Sequence, residues 1–258
     1  MSKTDRTFVW YDLMTNDTKA AEAFYRSVLG WNAADAGAPD RPYTIFSAGS
    51  AGVAGLMPIP DAARAQGARP MWSGYIAVDD VDAYAGRVQV AGGKVNRAPE
   101  DIPSVGRFAV AADPHDAMFM LFRGSRDEAP AAPAPGTPGT VGWHELHAGD
   151  GAVAFAFYAD LFGWTKTEAM DMGAMGVYQM FATGGNGTVG AVMTKMPDTP
   201  APHWLYYINV DAIDAAVTRV NTGGGKVLMG PHEVPGGQWI VQCFDPQGAM
   251  FALVAPKR

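Results

Sequence analysis

The 258-residue chain has one cysteine, Cys243, so no disulfide can form within it. That cysteine sits in "WIVQCFDPQG", which reads as the end of a strand, so a buried structural thiol is expected rather than a nucleophile. Charged residues are scarce, at 17%, against 48% hydrophobic, which excludes a disordered chain. Basic clusters are lacking and the formal charge is −7, so no nucleic-acid partner is expected. No apolar run approaches the roughly 18 residues that span a bilayer, so no membrane partner is expected either. The start, "MSKTDRTFVW", lacks the apolar core of a signal peptide, and a cytoplasmic location is the expectation. Histidines are also few. Two of the five, with a glutamate, fall within four residues of "VGWHELHAGD" (141–150), which at first sight is a metal site.

What is present in abundance is repetition. "YDLMTNDTKAAEAFYRSVLGW" (11–31) returns as "HELHAGDGAVAFAFYADLFGW" (144–164). "MWSGYIAVDDVDAYAGRVQVAGGKV" (71–95) returns as "HWLYYINVDAIDAAVTRVNTGGGKV" (203–227), and "DPHDAMFMLF" (113–122) as "DPQGAMFALV" (245–254). The Pro/Ala-rich stretch 126–140 joins the copies and is expected to be an extended, semi-rigid spacer. The predicted organisation is therefore module 1 over 1–125, a linker over 126–140 and module 2 over 141–258.

Within a copy the apolar period changes. Phe8 to Thr15 alternates as a strand does. Asp17 to Leu29 is helical, with Ala21, Phe24, Tyr25 and Val28 on one stripe and Gly30 at a left-handed stop. Short strands follow ("YTIFSAG", "AGVAGLMP"), and then the pattern restarts from "SGYIAV". Each copy reads as two βαβββ units, an α+β arrangement.

Paired βαβββ units, the helix endings "FYRSVLGW" and "FYADLFGW", and the turns "DPHDA" and "DPQGA" resemble the vicinal oxygen chelate superfamily. This is the group of glyoxalase I, the bleomycin resistance proteins and the extradiol dioxygenases. The resemblance covers nearly the whole chain, once per copy, and is nearest to tandem two-module bacterial glyoxalase-like proteins. It implies that each module curls into a cup-shaped, partly open barrel. It also implies a divalent metal held by His or Gln, His and Glu, each seven residues from a landmark. Those positions here are Trp10, Ser73 and Met120 in the first copy, and Trp143, Leu205 and Ala252 in the second. None is a good ligand for a divalent metal, so no cofactor is expected.

Strand alternation fills out each cup. The first is expected to hold Trp10, Asp12, Met14, Tyr75, Met118 and Met120. The second is expected to hold Trp143, Glu145, His147, Tyr207, Asn209 and Met250. His144 would face the helix-covered core. A regular start to its strand would turn His203 away from Leu205, and His232 would sit in a Pro/Gly loop near the cup mouth. Asp12 and Glu145 occupy the same place in the two copies, two residues after tryptophan. Against aromatic walls either carboxylate could serve as general base, or it could be tied to Arg107 or to a tyrosine hydroxyl, which is the favoured reading.

The expectation is a protein that binds a small aromatic or cationic molecule in metal-free cups. The alternative is an enzyme of the same superfamily: a lyase, isomerase or dioxygenase. It would use Asp12 or Glu145 as base, or a metal on Glu145, His147 and a third ligand such as His203 or His232. The two modules are expected to pair within the chain, and a further homodimer is compatible with the repeat.

Overall fold

The structure is a computed structural model that describes residues 6–38, 40–125, 133–184 and 187–258. In the first copy the elements are β1 (Phe8–Thr15), α1 (Thr18–Leu29), β2 (Asn32–Asp35), β3 (Thr44–Ala48), β4 (Ala51–Pro58) and α2 (Asp61–Ala65). They continue with β5 (Met71–Ala77), α3 (Val81–Val90), β6 (Lys94–Ile102), β7 (Gly106–Ala112) and β8 (Met118–Gly124). The second copy has β9 (Val141–Ala148), α4 (Gly151–Phe162), β10 (Thr165–Asp171), β11 (Val177–Ala182) and β12 (Gly190–Thr194). It ends with β13 (His203–Asn209), α5 (Ile213–Thr222), β14 (Lys226–Val234), β15 (Gln238–Phe244) and β16 (Met250–Ala255). These are the four expected βαβββ units.

The strands form two eight-stranded mixed sheets, ordered β2-β3-β4-β1-β5-β8-β7-β6 and β10-β11-β12-β9-β13-β16-β15-β14. Neither closes into a barrel. Of the described part of the linker, 133–140 is turned and tied down rather than extended. Thr137 Oγ1 donates to Ala134 O at 2.6 Å, and Trp31 Nε1 donates to Gly139 O at 2.9 Å. The rest of the predicted spacer, 126–132, lies outside the described residues. His232 is on β14, opposite Ile240, and not in a loop, because the turn is confined to Pro235, Gly236 and Gly237.

The helices start and stop where the sequence supplies the chemistry. Asp17 Oδ1 accepts the Ala20 N–H at 3.0 Å, and Gly30, at φ 70°, closes α1 in the left-handed region. Asp150 and Gly163 do the same for α4. Asp80 caps α3, whereas its counterpart Ala212 leaves α5 without a side-chain cap.

The chain divides into two compact units that do not coincide with the sequence copies. The first unit takes the segment ending at Val9, the stretch from Gly74 to the linker, and His144–Trp204. The second takes Trp10–Ser73, the end of the linker through Trp143, and Leu205–Arg258. In the first unit Phe119 meets Phe157, Tyr158 and Phe162 edge-on, and Tyr84 stacks on Phe162. In the second, Tyr25 is fully buried among Trp31, Phe46, Trp72 and Phe251. Its hydroxyl donates to Asp245 Oδ2 at 3.1 Å and accepts Trp72 Nε1 at 2.9 Å. Each such buried ring contributes about 1.5–3 kcal/mol by leaving water. The aromatic residues at the helix ends therefore make the core of each unit.

Candidate functional site

In the first unit β9 runs parallel to β12, with Glu145 opposite Ala191 and His147 opposite Met193. Alternation splits the His-Glu-His cluster. His144 is buried in the core, with its ring stacked on Phe8 at 4.4 Å and Nδ1 2.8 Å from Val189 O. Burial pushes its pKa down to about 4, so the ring is neutral.

Glu145 and His147 share the other face. Glu145 Oε1 lies 2.8 Å from His147 Nε2, and Oε2 accepts the Tyr178 hydroxyl at 2.8 Å. A carboxylate only accepts, so His147 Nε2 carries a proton. The His203 ring stacks on His147, with centroids 4.8 Å apart and planes within 8°. The expected turning-away of His203 is thus incorrect. β13 is regular from its first residue, and positions two apart on a strand point the same way. His203 Nδ1 lies 3.0 Å from Ala201 O, which fixes the proton on Nδ1. Burial lowers the His203 pKa, which keeps the ring neutral and leaves Nε2 as an acceptor. His147 Nδ1 and His203 Nε2 are both buried with no hydrogen-bond partner.

The same acid in the first copy belongs to the second unit. Asp12, on β1, lies opposite Gly55 of β4. Its Oδ1 accepts the Tyr43 hydroxyl at 2.7 Å and Trp10 Nε1 at 3.0 Å. Trp10 Nε1 also reaches the Tyr43 oxygen at 2.8 Å. Burial and the Asp12 charge push the Tyr43 pKa far up, so it remains a donor. A Cβ on Gly55 would overlap both the Tyr43 oxygen and Asp12 Oδ1. The absence of that atom makes room for the pair. Of the partners weighed for the acids, tyrosine is the one found. Arg107 is instead held by Asp82 and Asp101.

Also in the second unit, Trp143, Met250 and Ile240 are partly buried and pack on a cluster of Leu205, Tyr207, Ala252 and Val254. Tyr207 OH accepts Gln242 Nε2 at 2.8 Å. Asn209 spends its amide on Thr140, with Nδ2 3.0 Å from the carbonyl oxygen. Met14 lies half-buried opposite Met57. In the first unit Tyr75 lies opposite Met120, and half-buried Met118 lies opposite Ala112. The structure thus joins Trp10 to Asp12, Glu145 to His147, Tyr75 to Met120, and Trp143 to Tyr207 and Met250. The residues not foreseen are Tyr43 and Tyr178. Their signal was present, since each stands three positions before a buried phenylalanine, Phe46 of β3 or Phe181 of β11.

A family model described as Glyoxalase/Bleomycin resistance protein/Dioxygenase superfamily matches residues 7–121 and again 140–253. The chain belongs to this superfamily. Among members, it is 34% identical over 249 residues to the putative glyoxylase CFP32 of Mycobacterium tuberculosis, covering 96% of this chain and 94% of that one. It is 33% identical to the anthracycline biosynthesis protein DnrV of Streptomyces peucetius, covering 95% and 91%. Of solved structures, the Mn(II)-bound glyoxalase from Novosphingobium aromaticivorans superposes with a TM-score of 0.64 at 19% identity, covering 97% of this chain and 81% of that one. The 2,3-dioxygenase LapB from Pseudomonas sp. KL28 gives 0.66 at 13%, covering 96% and 91%. At these identities the likeness shows the fold.

The superfamily implies a divalent metal, and the donor chemistry at the implied positions does not fit one. Trp143, Leu205 and Ala252 all belong to the apolar cluster and offer no ligating atom. Trp10 has only an N–H, already engaged. Ser73 brings one hydroxyl and Met120 a thioether, both weak ligands for a hard cation. Among the described residues no group of three His, Cys, Asp or Glu side chains is arranged to hold an ion.

Proposed function

We propose that this superfamily member binds a small, flat aromatic or cationic organic molecule without using the usual metal positions. The observation that carries this reading is the second unit's wall. Of the three positions that would hold a metal, Leu205 and Ala252 are buried with Tyr207, and half-buried Trp143 packs on them with Met250, so the accessible part of the wall is an indole and a thioether. Such surfaces gain by covering a flat ring, and they hold nothing that needs a cation. A relative named as an anthracycline biosynthesis protein agrees in kind with a small organic ligand.

The test has two parts. Purified protein never exposed to chelator is analysed for metals, and its melting temperature is followed against a panel of planar aromatics. The expected result is substoichiometric Zn, Mn, Fe and Ni, with a concentration-dependent rise in Tm for some aromatic. Stoichiometric metal would sink the reading. A second reading, an enzyme with an acid-oriented imidazole base, is favoured by the 2.8 Å contact of Glu145 with His147. A Glu145→Gln variant that retains full turnover of any substrate found would remove it.

A further inference from the structure

The two stacked histidines of the first unit pose a question that the aromatic wall does not answer. Each ring has one nitrogen fixed as a donor, by Glu145 for His147 and by the Ala201 carbonyl for His203. The other nitrogens, His147 Nδ1 and His203 Nε2, are buried and unsatisfied. A buried acceptor left unmade costs about 1–3 kcal/mol, so two within one stacked pair of rings are costly. Imidazole lone pairs lie in the ring plane. Because the planes are parallel within 8° and stacked at 4.8 Å, the two lone pairs cannot converge on one atom. This geometry disfavours a single metal ion, which needs both lone pairs directed at it. Each nitrogen calls for its own donor. His203 is neutral, and of these side chains with Tyr178 it is Glu145 that brings a negative charge.

We infer that this cluster binds a ligand bearing two N–H donor groups on separate atoms, a compact diamine. Glu145 and Tyr178 position His147 so that Nδ1 faces one donor, and the Ala201 carbonyl positions His203 so that Nε2 faces the other. Glu145 supplies the charge complement of the ammonium. The inference rests on the small-molecule reading and names the chemical class of ligand that this cluster, within the first unit, would take.

The test uses the full chain labelled with 15N-histidine and three probes. These are 1,3-bis(aminomethyl)benzene, donor-free 1,3-dimethoxybenzene, and isophthalate, which is anionic and accepts only. Without probe, the ring spectra are expected to show His147 protonated on Nε2 and His203 on Nδ1. The diamine is expected to bind at one equivalent and to shift the His147 Nδ1 and His203 Nε2 resonances together, while the other two probes leave them in place. His203→Phe retains a flat ring to stack on His147 but removes the acceptor, and it should weaken the diamine about tenfold. If dimethoxybenzene binds as tightly as the diamine, or the diamine binds without moving either resonance, the donor inference fails and the small-molecule reading stands. If none of the three binds, the donor inference fails, and the small-molecule reading is judged separately by the aromatic panel. Zinc chloride alone moving both resonances at one equivalent would also overturn the donor inference, because it would mean that the rings rotate to share one ion.

Discussion

At the residue scale, the two acids show how one missing atom decides an arrangement. Asp12 is short, and its tyrosine comes close only because position 55 has no Cβ. Glu145 is longer, faces Ala191, and reaches Tyr178 without that concession. Gly55→Ala should therefore cost about 1–3 kcal/mol in urea unfolding, through overpacking and a strained hydrogen bond, whereas Ala191→Gly should cost no more than about 1. Equal costs at the two positions would contradict this account. His144 gives a pH prediction with a definite sign. Its folded pKa of about 4 is below the 6.5 of an exposed histidine. The unfolded chain therefore binds the proton more readily, and the stabilisation present above pH 6.5 is lost as pH falls through 4. The loss should approach about 3 kcal/mol, and His144→Phe should flatten the acid limb of the stability–pH curve. Cys243, with its thiol pushed up to about 12 by burial, should resist thiol reagents until the protein unfolds.

At the element scale, much was legible in the sequence because the signals were local. Asp17, the apolar stripe of α1 and Gly30 announced that helix, and the repeat of the pattern at 150–163 announced α4. Strand alternation separated His144 from Glu145 and His147 correctly, because a side chain's face depends only on counting along one strand. What the sequence did not disclose was cross-strand reach. Tyr43, just before β3, and Tyr178, on β11, approach the acids from outside the acids' own strands, and the His147–His203 stack depends on where β13 begins. The wrong expectation for His203 came from applying alternation without counting both residues, and that for His232 from reading Pro and Gly as a loop where they sit in a hairpin strand. The uncapped start of α5 is a defect that can be repaired. Ala212 has the extended backbone of an N-cap, φ −148° and ψ 132°, but lacks the side chain. Ala212→Asp should stabilise the protein by about 0.5–1 kcal/mol, read as a higher urea midpoint with unchanged m-value. Asp80→Ala should lose a similar amount.

At the scale of the whole molecule, the copies visible in the sequence are not the bodies that hold together. Each compact unit draws one half from each copy, and its aromatic core is completed only by residues from both. Residues 1–125 expressed alone should then be poorly folded or self-associated, and mixing them with 141–258 should restore native circular dichroism and a 1:1 complex by size exclusion. A half that is monomeric and as stable as the full chain would refute this. The copies could be recognised by self-comparison, but this exchange of halves could not, since no local pattern distinguishes a helix packing on its own copy from one packing on the other.

The room left by Gly55 has a consequence for divergence. In an assembly of identical subunits, any change beside the acid appears at every equivalent place at once. Here the two places are encoded separately, so Asp12 with Gly55 and Glu145 with Ala191 can be altered one at a time. One copy can keep a compact acid–tyrosine–tryptophan lock while the other acquires paired imidazoles. A single polypeptide can thus carry two chemically unlike versions of the same inherited position.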